Sequence, residues 1–501
     1  MLLQLPSASA QPIYRQIAEA IQDQVHRGLL KNGDRIPSTR ELAEQLKVNR
    51  TTVILAFDEL RQAGYIYSHV GRGTQIAAAE NRQKSAANKS RDFNWDSFLS
   101  AGMVNLTRSL PAREAASSDV WADFSRLIPD QKLFPVDTFE GILNKVMAKR
   151  GAALLQYGPA LGLPELRSLI AQRMRRWGVN VSHDEVIIVN GAQQGMDLLF
   201  KTFLNAGDVV VVESPTYANI LPLLEFYRAH VVGVPMTPQG LDLDSLRTVA
   251  AQRSLKLIYT IPNFQNPTGI CTPQAHRRQL LSLAEEFNVP IVEDGYEEDL
   301  RTSGKPILPI KAMDHSGRVI YLGTFSKGLF PGLRIGWIVA HRELIETLGA
   351  AKFSTDYHTS LLLQAALTEF ISQGHYDRHL KRLQKILAGR LQVAVHAMQQ
   401  HFPRGARWAV PDGGYSLWVA LPAGVSARQV AADARQEGIL ITSGDHFFQS
   451  IEDSGSFRLS VSTLNEAQIK RGIHVLGRII SRQSRRQPRH SAAMEGELPH
   501  I

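Results

Sequence analysis

Between Trp121 and Ile480 the chain repeats one pattern: a short apolar run rich in β-branched residues, a cluster of small or polar residues, then helical spacing. The runs are Val186–Val189, Val209–Val212, Leu257–Tyr259, Ile291–Val292 and Val319–Leu322. Runs this short, with no polar alternation, are strands buried on both faces. Strands of that kind separated by helices build an α/β domain around a mostly parallel sheet. Helical spacing over Leu361–Ile371 and His379–Gln399, then strand-like runs at Tyr415–Ala420, Ile439–Ile441 and Phe457–Val461, predict a smaller α+β subdomain. No internal repeat is visible.

The first 78 residues follow a different rule. Ile13, Ile17, Ala18, Ile21 and Val25 recur every three or four residues, and Gly28 closes that helix. Ser38 with Glu41 is a capping box for a second helix, and Asn49 caps a third that Gly64 ends. Tyr65–Tyr67 and Thr74–Ile76 flank a tip with two glycines, a hairpin. Helix, helix, tight turn, helix and hairpin make a winged helix-turn-helix. The multidomain plan is therefore 1–78 winged helix-turn-helix, 79–118 linker, 119–481 α/β domain with its subdomain, and 482–501 basic tail.

The formal net charge is +9. Six of those charges lie in residues 1–92 and 482–501, so the middle is near neutral for its length. A basic balance permits a nucleic-acid partner without identifying one. Cys271 stands alone, which excludes an intrachain disulfide and a Cys-rich metal site and suits a reducing, cytoplasmic setting. No apolar run approaches the ~20 residues of a membrane span, and the start MLLQLPSASAQ lacks the basic region of a signal peptide. The histidines show no HExxH and no metal-ligand spacing, so no metal is expected.

In open α/β sheets ligands gather beyond the carboxyl ends of the strands. After Val189 comes Asn190-Gly191-Ala192-Gln193, small residues at a helix start, where backbone N–H groups can hold an anion. After Val212 comes Tyr217, an aromatic able to stack on a flat ligand. After Tyr259 comes Asn266-Pro267-Thr268-Gly269; after Val292, Asp294 and Tyr296; after Leu322, Thr324 and Lys327. Taken singly, each is also what an ordinary turn or a solvated residue looks like. Together they supply an amine, a carboxylate, two tyrosines, an Asn and an anion cup. Pyridoxal phosphate requires this set: a lysine for its aldehyde and an anion for its protonated ring nitrogen.

With those motifs in place, the middle of the chain resembles a fold-type I aminotransferase. The resemblance implies pyridoxal 5'-phosphate as cofactor and assigns roles by motif. Lys327 in TFSKGLFPGLRIGW matches the family's catalytic aldimine lysine, and Asp294 in EDGYEEDL the partner of the pyridinium nitrogen. Tyr296 and Asn266 match the groups on the ring hydroxyl, and Tyr217 in SPTYAN the stacking ring. Gly191, Ala192 and Gln193 match the phosphate loop, with Thr324 and Arg334 as side chains on the phosphate. Tyr157 resembles a tyrosine that reaches the neighbouring subunit's phosphate, and Arg458 in GSFRLSVS the arginine that binds a substrate or effector carboxylate.

The N-terminal block resembles the GntR-type winged helix through PSTRELAEQLKVNRTTVILAFDELRQAGYI and GRGTQI. Its recognition helix runs over about 50–63. Arg40, Arg50, Thr51 and Thr52 are the contact candidates there, and Arg72 in the wing can approach DNA phosphates or the minor groove. The two halves together resemble the MocR/GabR class of transcriptional regulators. That implies a homodimer with a domain-swapped arrangement, binding a double-stranded DNA operator and answering to an amino-acid-like or amine effector that forms an external aldimine. Two other readings stay open: a working aminotransferase with an accessory DNA-binding domain, and a regulator that senses pyridoxal phosphate itself.

Overall fold

The computed structural model describes residues 11–69, 73–77, 95–109, 119–449 and 455–486. Two compact units divide the chain, Met1–Leu99 and Ser100–Ile501.

In the first unit, α1 (Ile13–His26), α2 (Thr39–Leu46) and α3 (Arg50–Gln62) enclose a core of Ile17, Ile21, Leu42, Val53, Phe57 and Leu60. Ser38 accepts from the Glu41 backbone N–H while the Glu41 carboxylate accepts from the Ser38 N–H at 2.8 Å, closing the expected capping box. Asn49 caps α3 by accepting from the Thr51 N–H at 3.0 Å. The hairpin of β2 (Ile66–His69) and β3 (Gly73–Ile76) is joined by a strand the sequence pattern did not reveal, β1 (Arg35–Ile36), in the order β1-β3-β2. At two residues, β1 is too short to show alternation.

The second unit begins with a helix, Ala101–Ser109, inside the stretch read from sequence as linker. Its Asn105 amide reaches the Glu225 carbonyl at 3.5 Å, on the helix Ile220–Phe226. A two-residue strand, β4 (Ala122–Asp123), follows.

The main sheet contains β5 (Val186–Val189), β6 (Val209–Ser214), β7 (His230–Thr237), β8 (Gly240–Leu241), β9 (Leu255–Thr260), β10 (Ile291–Asp294), β11 (Val319–Thr324) and β12 (Gly336–Val339). Their spatial order is β5-β12-β11-β10-β9-β6-β7-β8. The five strands read from sequence are all present. β7, β8 and β12 were not anticipated, and β12 runs antiparallel to both its neighbours, β11 and β5. Every residue of β5, β10, β11 and β12 is buried, as expected of strands covered on both faces.

The smaller subdomain is an antiparallel sheet of β13 (Arg407–Trp408), β14 (Ser416–Ala420), β16 (Thr442–Ser443) and β17 (Ser456–Ser460), ordered β13-β14-β17-β16. The helices His375–His401, Ala427–Gln436 and Glu466–Arg486 pack on it through Leu387, Val430 and Ile473. β15 (Ile439–Leu440) pairs in parallel with β4, so residues 122–124 close into this subdomain across more than 300 residues of sequence. Among the described residues, no helix is long and apolar enough to cross a membrane, and no group of three or more His, Cys, Asp or Glu could hold a metal ion.

Candidate functional site

The carboxyl ends of β6, β9, β10 and β11, with the start of the helix Ala192–Phe203 beyond β5, open onto one cavity of about 910 Å³. Of the residues singled out in the sequence, Ala192, Gln193, Tyr217, Asn266, Asp294, Tyr296, Thr324, Lys327, Arg334 and Arg458 all line it. Gly191 adjoins it as the N-cap of the helix at φ 81°, and a Cβ there would meet the Arg334 guanidinium 2.5 Å away. The positive φ favours glycine, whereas the Arg334 guanidinium is the end of a flexible side chain that could give way. Arg334 itself donates to the Asn190 carbonyl at 3.1 Å, so a cation sits over the helix start where N–H groups face an anion.

Asp294 ends β10 and is fully enclosed. Its Oδ2 accepts from the Tyr259 hydroxyl at 2.7 Å, while Oδ1 makes no hydrogen bond. Burial pushes its carboxyl up to about 6, held back by the Tyr259 hydroxyl, the Tyr296 backbone N–H and the Lys327 charge. A buried acceptor with nothing to accept from is costly unless a ligand supplies a donor. Gln193 Oε1 is buried and unpartnered in the same cavity.

Lys327 follows β11. Burial lowers its amine below the usual lysine range, opposed by Glu297 and Asp294. The amine donates to the Leu127 carbonyl and lies 6.0 Å from the Tyr296 ring centre. Tyr296 donates its hydroxyl to the Phe264 carbonyl at 2.8 Å. Tyr217 accepts from the Asn219 amide at 2.9 Å. Thr324 donates to Ser326 Oγ at 3.1 Å and accepts from the Ser326 N–H.

Arg458, on β17, donates to Asn266 Oδ1 at 2.9 Å, to the Ser125 carbonyl at 2.8 Å and to Thr442 Oγ1 at 3.3 Å. Its Nε has no partner, and burial lowers its guanidinium to about 10. Such a group gains from an incoming carboxylate.

Tyr157 stands apart. It is 84% exposed, outside this cavity, with Tyr357 and His358 as its ring neighbours. In the first unit, Arg40, Arg50 and Thr51 are exposed and Thr52 is half-buried, on α2 and the start of α3. Arg72 lies outside the described residues.

Sequence reasoning missed Tyr259, Ser125, Leu127 and the wall formed by Ala427–Gln436 and Leu440–Phe447. It also missed an exposed apolar pair on α3, Ile54 and Leu55. Tyr259 carried the only usable signal, a hydroxyl inside an otherwise apolar run.

The Asp294 carboxyl gives a stability prediction for the chain freed of ligand. Its folded value lies above the ordinary 3.8, so folding favours the protonated acid. The penalty is absent below about pH 4, grows as the acid ionises and is complete above about pH 6. Asp294→Asn keeps an acceptor for Tyr259. It is expected to stabilise the ligand-free chain by on the order of 3 kcal/mol at pH 8 and by about half that at pH 5. Thermal unfolding of both proteins across this range checks it; a difference that is flat with pH contradicts the assignment.

Comparison with known proteins places both units. Residues 134–476 match the aminotransferase class I and II family, and residues 13–76 match the bacterial regulatory proteins of the gntR family. The chain is 32% identical to the uncharacterized HTH-type transcriptional regulator YdfD of Bacillus subtilis, over 94% of this chain and 96% of that protein. It is 31% identical to the probable rhizopine catabolism regulatory protein MocR of Rhizobium meliloti, over 93% of each. The α-aminoadipate aminotransferase LysN of Thermus thermophilus, solved with N-(5'-phosphopyridoxyl)-L-leucine, superposes with a TM-score of 0.72 at 30% identity, covering 78% of this chain and all of that one.

Proposed function

The chain belongs to the aminotransferase class I and II family and carries a gntR-family domain ahead of it, and from that membership we propose a transcriptional regulator whose aminotransferase-like half recognises an amino-acid-like or amine effector. The cofactor of this half is pyridoxal 5'-phosphate. One observation carries the reading: a single chain joins a winged helix presenting Arg40 and Arg50 to a cavity lined by Lys327, Asp294 and Arg458.

When bound, pyridoxal phosphate supplies an aldehyde that takes up amines and a ring that withdraws electrons. In this reading the N–H groups at Ala192 and Gln193, with Thr324 and Arg334, hold its phosphate. Asp294, whose Oδ1 is unpartnered, keeps the proton on the ring nitrogen. Tyr217 covers a ring face, and Tyr296 and Asn266 orient the ring hydroxyl. Lys327 presents an amine that burial keeps in its neutral, bond-forming state for more of the time.

Arg458 is the element that couples effector to shape. At present it ties β17 to the Asn266 loop, to Ser125 and to β16. An effector carboxylate that takes over its donors exchanges those ties for new ones. A ligand shifts a conformational equilibrium only through such differential contacts. The partners in this reading are a DNA operator, met by Arg40, Arg50, Thr51, Thr52 and Arg72, and a second copy of the chain. Exposed Tyr157 is then available to the second copy's cavity.

The test is fluorescence anisotropy of the pyridoxal phosphate-loaded chain on duplex DNA from upstream of its own gene, with a panel of amines and amino acids. At least one compound is expected to change the DNA affinity by about tenfold or more, a coupling typical of allosteric effectors. Pyridoxal phosphate alone, added to the cofactor-free chain, separates effector sensing from cofactor sensing. A second reading, a working aminotransferase, is favoured by the full set of transamination groups in one cavity. Steady-state turnover at ordinary enzyme rates, with no compound altering DNA binding, would establish it instead.

A further inference from the structure

The helix His375–His401 ends against the middle of the helix Glu466–Arg486, and the two enclose an open groove of about 590 Å³. Its lining includes Gln400 and His401 from the first helix and His474, Arg478, Ser481 and Arg485 from the second. Those last four follow one another at steps of four, three and four, so they share a face. Gly477 brings the helices together: a Cβ there would overlap the His401 carbonyl oxygen. The rings of His401 and His474 stand perpendicular, with 4.6 Å between their centres.

Charge says what this groove suits. Arg478 and Arg485 are exposed and, among the described residues, have no hydrogen-bond or ion-pair partner. Arg482, between them, donates to Asp433 Oδ2 at 3.1 Å, so its charge is already spent. Among the described residues, no Asp or Glu lines the groove. The imbalance extends along the helix, whose sequence carries six Lys and Arg against one Glu. Residues 1–79, which carry the winged helix, hold nine Lys and Arg against seven Asp and Glu. That block is close to neutral, yet affinity for a duplex comes largely from neutralising phosphates with Lys and Arg. Arg478 and Arg485 lie two helical turns apart, about 10 Å along the axis. Cations in a row at that spacing suit a polyanion whose charges repeat, and an open groove admits one where a closed pocket would not.

We propose that this face of the helix Glu466–Arg486 is a second DNA contact, in which Arg478 and Arg485 take backbone phosphates of the duplex. The proposal rests on the DNA-binding regulator reading and adds to it a surface on the aminotransferase-like half. Guanidinium groups bond phosphate oxygens in pairs, and such contacts add affinity without reading sequence. An arginine at this place also complements the negative end of the helix His375–His401, a role that acts on folding and leaves the salt dependence of DNA binding untouched.

The test is fluorescence anisotropy of the pyridoxal phosphate-loaded full chain over a series of salt concentrations, on duplex DNA from upstream of its own gene and on a scrambled duplex. The quantity read is the slope of log affinity against log salt. Arg478→Gln with Arg485→Gln is expected to flatten that slope by at least about one for each arginine removed. It should also weaken binding to both duplexes alike, by roughly tenfold or more at low salt. Each single variant should show half the effect, and thermal unfolding of all three verifies that they fold. An unchanged slope in folded variants overturns the proposal. So does an equal flattening by Lys381→Gln with Lys385→Gln, two exposed lysines on the helix His375–His401 outside the groove, which would make bulk charge the cause. Calorimetry with pyrophosphate separates a free anion from DNA: tight binding that the arginine pair abolishes while the slope stays unchanged assigns the groove to a small anion and overturns the DNA contact. If the unmodified chain binds neither duplex, the DNA-binding reading itself fails, an outcome distinct from binding with an unchanged slope.

Discussion

Lys327→Ala yields a chain that binds its DNA within about threefold of the unmodified affinity yet no longer responds to any amine. The two halves of this expectation have separate physical grounds. Lys327 lies in the second unit, and the described DNA contact candidates of the winged helix lie on α2 and α3 of the first. Removing the side chain costs little locally. Its amine bonds only the Leu127 carbonyl, and the Tyr415 hydroxyl donates at 2.7 Å to the Lys327 backbone carbonyl, which alanine retains. The vacated space joins a cavity that is already open, so no sealed void is created. What is lost is the only lysine amine among the described residues lining the cavity, the one placed to bond the cofactor's aldehyde and be displaced by an effector. Borohydride treatment followed by peptide mass analysis reads the first loss: reduction no longer fixes the cofactor to the chain. Anisotropy with the amine panel reads the second, an effect of about tenfold falling to none. Effector-dependent DNA binding that persists in Lys327→Ala would remove amine exchange from the mechanism while leaving the regulator assignment standing.

The strand-end residues were legible because each follows a buried run directly, and an α/β sheet delivers the carboxyl ends of its parallel strands to one edge. Asp294 ends β10, and Lys327 lies three residues beyond β11. Two residues of β12 pair opposite Gly323 and Thr324, yet β12 itself was not read from sequence. Its run Gly-Trp-Ile-Val lies inside a segment whose glycines and proline read as loop, and antiparallel insertion has no local signature. Tyr259 escaped for a different reason: the hydroxyl in its otherwise apolar run was visible, but only packing turns it towards Asp294. Contacts across long separations were out of reach. The bond from Arg458 to the Ser125 carbonyl spans 333 residues, and nothing near residue 125 announces it. Tyr157 matches a motif, yet its 84% exposure outside the cavity shows that motif spacing says nothing about which subunit's site a residue serves. The helix wall of Ala427–Gln436 was invisible because amphipathic spacing distinguishes a buried face from an outer one, and this helix has a third, turned to a cavity.

The second large effect concerns a residue that touches no ligand. Gly336 opens β12, paired with Val189 on one side and Thr324 on the other. A Cβ at this position would stand 2.8 Å from the Gly323 carbonyl oxygen, 2.9 Å from the Gly191 carbonyl carbon and 3.1 Å from the Ala192 nitrogen. All three are backbone atoms, so no side-chain rotation relieves the clash. Either the end of β11 or the start of the helix Ala192–Phe203 must move by several tenths of an ångström. Both sit on the anion cup, one carrying Thr324 and the other the N–H groups of Ala192 and Gln193. Hydrogen bonds weaken steeply with misalignment, so the cup loses strength whichever side yields. Gly336→Ala is therefore expected to destabilise the second unit by about 1–3 kcal/mol, the usual penalty of overpacking. It should also weaken pyridoxal phosphate retention by roughly tenfold, about the worth of one charged hydrogen bond. Gly332→Ala is the matched control: it lies four residues away, near Arg334, and a Cβ there meets nothing within 4 Å. Thermal unfolding and equilibrium dialysis of the cofactor on both variants check the pair. Equal cofactor retention in Gly336→Ala and Gly332→Ala would detach the phosphate cup from the packing of β12, and with it the claim that close backbone approach at this strand sets the cup's geometry.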